Sequence, residues 1–251
     1  MTITAGFDVE TKTTLVDNVK SYWCESDQVS VFDAKYGDNN RLFSIVKGDE
    51  EFPKATASFA TTEEFTMPED QTQEEALIVA LYPYQETAYC DFFDPAEDQN
   101  IISGLNIPAE QVAEDDNFDS RATFALATDS YANKENLTFN NLYSLLKITL
   151  KENEVTKVKV TVSGENNPCI TGEARVQLNR VSEEGKTPYF NGGNLVASGS
   201  NEVTLTCGEG FKVGENYYIA IAPVTYTNIK VALLKGETWT EVKNTTPAEP
   251  K

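Results

Sequence analysis

The 251-residue chain contains no histidine. That absence removes the commonest general base, the Ser-His and Cys-His nucleophile pairings and the commonest zinc ligand. Carboxylate-only, lysine-based or tyrosine-based chemistry remains possible. Cations are scarce too: 20 Lys and Arg stand against 40 Asp and Glu, a net charge of −20. A field of that sign repels phosphate backbones and anionic headgroups, which argues against nucleic acid as a partner and suits a protein kept soluble by charge. Cysteines occur at 24, 90, 169 and 207, with no C-x-x-C pair. A zinc ribbon or thioredoxin-type motif is therefore absent. Bridges Cys24–Cys90 and Cys169–Cys207 would each stay within one proposed domain, but spacing alone fixes no Cα geometry. No apolar run reaches the ~18 residues of a membrane span, so no transmembrane segment is expected. The longest run, residues 76–84 (ALIVALYPY), is strand-length. No signal peptide is legible, and Met1 is expected to be a start added after a leader was trimmed.

What the chain does have is β-forming composition. There are 11 Tyr and 13 Phe, and Thr and Val recur throughout; such side chains suit a pleated, half-buried surface. Apolar residues alternate with polar ones at Val158, Val160, Val162, at Ala174, Val176, Leu178 and at Ile229, Val231, Leu233. Period-two alternation puts one set on a core face and the other in water. Residues 77–82, 142–150 and 217–222 are apolar at both parities, which predicts central strands covered on both faces. Turn residues recur every 8–15 positions, with strong signals at 37–40, 164–168, 191–194 and 208–210. Pro68 argues against a long helix in the acidic stretch 63–75. The fold class predicted is all-β, in two β-sandwich domains. Residues 1–132 form the first and 133–251 the second, divided in the polar stretch 128–135 (TDSYANKE). The polar, Pro-containing tail 244–251 is expected to fray.

Several segments, in order, carry a family resemblance. Residues 11–15 (TKTTL), Trp23 and residues 26–32 (SDQVSVF) resemble a TRTTL…W…GDxIxVF pattern, with Ser26 where Gly is usual. Residues 57–59 and 80–84 (ALYPY), then 105–111 (LNIPAEQ), Phe118-Asp119 and 124–127, continue the order. In the second half come 137–142 (LTFNNL), 145–148 (LLKI), a hairpin over 158–170 followed by 171–174 (TGEA), and 217–223 (YYIAIAP). The set resembles the fimbrillin-like family of pilus subunits and adhesins over nearly the whole length.

The resemblance implies two stacked β-sandwich domains of transthyretin-like type. It also implies an exported lipoprotein of the outer membrane, displayed at the cell surface as a pilus (fimbria) shaft, anchor, tip or related adhesin. Its partners would be other pilin subunits of the same or a related type, and a host or bacterial surface protein or glycan. Assembly would proceed by strand exchange: a protease removes an N-terminal strand, and a strand of the next subunit fills the vacated groove. The leaving strand would carry Ile3, Ala5, Phe7 and Val9 on its inward side; the competing reading is a permanent first strand. The lipidation cysteine of the family is not in this chain. Family members usually continue past the strand at 229–234, so a truncated or short C-terminal domain is expected.

Such a protein needs no catalytic residue, cofactor or metal, and none is assigned. Glu114, Asp115, Asp116 and Asp119, and likewise Asp91, Asp94, Glu97 and Asp98, are acidic clusters without EF-hand spacing and read as solvated loops. No motif marks a facing carboxylate pair for glycoside hydrolysis. Gly192-Gly193 and Gly208-x-Gly210 read as turn glycines, because the Lys-Ser/Thr partner of a phosphate loop is missing. Among the aromatic residues, Trp23 is expected in the core. Trp239 is a candidate for the surface, and Tyr189 with Phe190 is the preferred surface ligand contact. A surface glycan-binding lipoprotein on the same fold is the alternative function, since fold does not fix function.

Overall fold

The structure, a computed structural model, describes residues 1–7, 22–33, 40–48, 51–63, 72–74, 76–91, 100–113, 118–181 and 189–245. Regular structure among them is β-strand, apart from two short 3-10 turns at Ser120–Ala122 and Tyr131–Asn133. The all-β expectation holds. No helix among the described residues is long and apolar enough to cross a membrane. The chain gathers into two compact units that interleave along the sequence: Met1–Leu105, Phe124–Leu142 and Arg175–Asn194 form one, Asn106–Thr123, Tyr143–Ala174 and Leu195–Lys251 the other.

The first unit is built on a closed seven-stranded sheet. Its strands are β1 (Thr2–Phe7), β2 (Gln28–Asp33), β3 (Arg41–Ile45), β4 (Thr56–Ala60), β5 (Leu77–Tyr82), β9 (Ala125–Ser130) and β10 (Leu137–Asn141). They close in the order β1-β10-β9-β5-β2-β3-β4. Closure leaves no free edge. The residues 128–135 form the end of β9 and the turn into β10, inside this one sheet.

Alternation fills the interior with Ile3, Ala5, Val29, Val31, Phe43, Phe59, Ile78, Ala80, Ala127 and Phe139, with Trp23 among them. On β5 the other parity is buried as well: Val79 and Leu81 are fully inaccessible. That two-faced burial is what residues 77–82 predict. The unit also holds β6 (Tyr89–Asp91), with parts of β7 (Ile101–Ile107), β13 (Gly172–Val181) and β14 (Tyr189–Ala197), in a sheet ordered β14-β13-β7-β6.

The second unit pairs a five-stranded sheet with a two-stranded one across a shared core. The larger sheet orders β18 (Thr238–Thr245), β17 (Asn228–Lys235), β12 (Val155–Ser163), β15 (Glu202–Thr206) and β8 (Glu110–Val112). The smaller pairs β11 (Ser144–Thr149) with β16 (Asn216–Ile221), antiparallel from Ser144↔Ile221 to Thr149↔Asn216. Val158, Val160 and Val162 of β12, Val203 and Leu205 of β15 and Tyr217, Ile219 and Ile221 of β16 share that core. Gln111 is fully buried between the layers. Its side-chain amide donates to the Ala220 carbonyl at 2.6 Å, and its carbonyl accepts the Ala220 N–H at 3.0 Å. One side chain thus satisfies both backbone groups of Ala220.

Three sequence expectations need correcting. Residues 142–150 were expected as a central strand, but β11 pairs only with β16 among the described residues and is largely half-buried. Apolarity at both parities does not distinguish a covered strand from a marginal one. The hairpin over 158–170 does not form. Instead β12 pairs with β15 and β17, and its partners come from later in the chain. The glycines at 192 and 193 do not make a turn; they lie within β14.

Candidate functional site

Two places in the first unit bear on the sequence-predicted residues. One is the seat of β1. This strand pairs antiparallel with β4 from Thr2↔Ala60 to Gly6↔Thr56, and parallel with β10 from Ala5↔Leu137 to Phe7↔Phe139. It is the strand that closes the barrel. Ile3 is 0% and Ala5 1% exposed, both in the barrel core. Phe7 ends the strand, while Val9 lies outside the described residues.

Trp23 locks the seat from within. Its indole N–H donates to the Ala5 carbonyl at 3.0 Å. Its ring makes edge-on contacts with Phe59 of β4 at 4.9 Å, Tyr82 of β5 at 5.3 Å and Phe139 of β10 at 5.3 Å. Edge-to-face pairs at these separations favour one fixed arrangement. Outside the barrel wall the hydroxyls of Thr4 and Ser58 meet at 3.2 Å. Beneath Tyr82, its hydroxyl donates to Asp27 at 3.2 Å, and the Cys24 N–H reaches the same carboxylate at 2.7 Å. Burial pushes the Asp27 carboxyl above its ordinary value, against the opposing pull of those two hydrogen bonds.

The second place is a cleft of about 330 Å³ lined by Glu74, Leu77, Thr128, Asp129, Ser130, Tyr189, Phe190 and Asn191. It brings together Tyr189 and Phe190, the preferred surface aromatics, with polar residues that sequence reading passed over. Tyr189 is 39% exposed and Phe190 half-buried. The Thr128 hydroxyl donates to the Phe190 carbonyl at 3.1 Å and accepts the Gly192 N–H at 3.4 Å. This cross-link pins the start of β14 to β9.

Glycine is required at the pin's outer end and one residue beyond it. Gly192 has φ +70°, and a Cβ on Gly193 would sit 2.8 Å from Val176 Cγ1 and 3.1 Å from Leu126 Cδ2. The positive φ therefore explains Gly192, and the close approach of Val176, Leu126 and the Gln177 carbonyl explains Gly193. Asp129 is oriented by the Ser130 N–H at 2.7 Å and the Asn133 side-chain amide at 2.8 Å, both on Oδ1.

The remaining candidates are placed apart from these. Trp239 is 41% exposed on β18, with the Lys159 ammonium 5.0 Å over its ring. That cation competes for the ring face a ligand would need. Neither weighed cysteine bridge forms: Cys24 is exposed, Cys90 buried, and Cys169 and Cys207 are half-buried. Of the acidic clusters, residues 114–116 and 94–98 lie outside the described residues. Asp119 is engaged otherwise. It accepts from the Val112 and Arg121 N–H groups and pairs with the Arg121 guanidinium. Among the described residues no three His, Cys, Asp or Glu side chains gather to hold a metal ion.

In comparison with known proteins, the chain matches no family model, no curated protein and no solved structure.

Proposed function

We propose that the chain is a structural or adhesive subunit of a cell-surface pilus, exported to the outer membrane and assembled by strand exchange with subunits of the same or a related type. The transthyretin-like pair of sandwich domains belongs to the same reading, as does the absence of a catalytic role. The observation that carries it is the setting of β1. The first strand, β1, lies between β4 and β10, hydrogen-bonded on both sides, with Ile3 and Ala5 in the apolar core. A seat of that kind accepts any extended segment with apolar side chains at alternate positions: main-chain bonds give affinity and the pockets give register. The ordered resemblance to fimbrillin-like sequences supports the same conclusion.

Mass spectrometry of subunits recovered from assembled surface fibres tests it. Strand exchange expects the assembled subunit to have lost β1 while the unassembled precursor retains it. An N-terminus unchanged by assembly contradicts the mechanism.

A further inference from the structure

We propose that the cleft between β9 and the start of β14 binds a neutral, hydroxyl-rich saccharide. The inference rests on the cleft alone and holds whether or not β1 exchanges. Its volume, about 330 Å³, is at the small end of ligand sites, where a cleft takes a small molecule or the end of a chain. Two aromatic residues supply the apolar wall. Tyr189, 39% exposed, gives the ring that apolar C–H faces of a sugar need.

The polar inventory narrows the class. Glu74 and Asp129 are carboxylates, acceptors only when ionised, and no Lys or Arg is among the described residues that line the cleft. Toward these two carboxylates the ligand must bring donors, and they and the chain's net charge of −20 repel a carboxylated or sulfated sugar. Ser130 and Asn191 both donate and accept. An ammonium ligand would leave their donors unmatched, whereas sugar hydroxyls, which donate and accept, can match every group. With Asp129 Oδ1 already taken by the Ser130 and Asn133 N–H groups, Oδ2 is left to receive a hydroxyl.

Rigidity supports binding. Thr128 fixes the Phe190 and Gly192 backbone, and Val176 and Leu126 leave no room for a side chain at Gly193. A shelf held in this way loses little freedom when a ligand arrives.

The test uses the full chain and saturation-transfer NMR. Probes are the methyl glycosides of glucose, galactose and mannose, N-acetylglucosamine, sialyllactose and butylammonium. At least one neutral sugar should show transfer, and sialyllactose and butylammonium should show none. Tyr189→Ala and Asp129→Asn should each weaken that sugar about tenfold or more. Tyr189→Phe, which keeps the ring, should retain binding, and an unchanged Tm in all three variants confirms that they are folded. Silence from every neutral sugar overturns the proposal, as does a signal that survives Tyr189→Ala, or binding of butylammonium or sialyllactose in their place.

Discussion

Replacing Gln111 isolates one side chain that does the work of a missing strand. Gln111→Met keeps the length and much of the volume but removes both hydrogen bonds to Ala220, of 2.6 and 3.0 Å. The N–H and C=O of Ala220 then stay buried without those partners. Each orphaned group costs about 1–3 kcal/mol. The pair should cost about 2–6 kcal/mol, a large share of the roughly 5–15 kcal/mol that holds a domain together.

Gln111→Glu separates charge from shape. The oxygen that accepts from Ala220 is retained, but the donor facing the Ala220 carbonyl becomes an oxygen. Only the protonated acid can donate there, and burial also disfavours the anion, so the folded-state pKa rises above the ordinary value of about 4.3. The folded state then binds the proton more tightly than the unfolded chain. Stability is present below about pH 4 and is lost as pH rises through the raised folded value. Urea unfolding of parent, Met and Glu variants from about pH 4 to pH 7 reads this directly. The Glu variant should match or exceed the Met variant in acid and fall well below it at neutral pH. A Met variant within about 0.5 kcal/mol of the parent, the range of an uninvolved surface change, would refute the latch, as would a Glu variant that follows the parent across the range.

Trp23→Phe keeps an aromatic ring at the barrel centre but deletes the N–H held by the Ala5 carbonyl at 3.0 Å. It should lower stability by about 1–3 kcal/mol and speed amide exchange in β1 more than in β5, as read by hydrogen-exchange mass spectrometry. For Asp119, burial pushes the carboxyl up, but the Arg121 side chain and the Val112 and Arg121 amides outweigh burial and hold it below 3.8. Its contribution is therefore present above that value and is lost as pH falls through the lowered one. Asp119→Asn should be less stable at neutral pH and should show a flatter acid limb in thermal melts.

Much of the strand pattern was legible because burial leaves a period in the sequence. Val158, Val160 and Val162 alternate since one face of β12 meets β16 and its neighbours. Residues 77–82 are apolar throughout since β5 is covered on both sides. The burial of Trp23 was legible as well. What alternation does not encode is which strand meets which. A polar stretch such as 128–135 has the same composition whether it links domains or turns between β9 and β10. The cleft was half legible. Tyr189 and Phe190 stood out as aromatics beside a glycine pair, but Glu74, Thr128 and Asp129 are distant in sequence, and acidic or hydroxyl residues are too common here to mark a site. The glycines at 192 and 193 held the unused signal: in a strand they mark a special backbone conformation, as at Gly192, or close approach of another chain segment, as at Gly193.

The seat of β1 can be tested most directly in the folded protein. A specific protease site placed after Phe7 is cleaved in the intact chain, and a fluorescent peptide with the sequence of Thr2–Phe7 is added. Strand exchange predicts that the labelled peptide replaces β1 and stays bound through gel filtration, and that the same peptide carrying Ile3→Asp does not. Failure of the labelled peptide to enter, or equal uptake of the aspartate peptide, would contradict it.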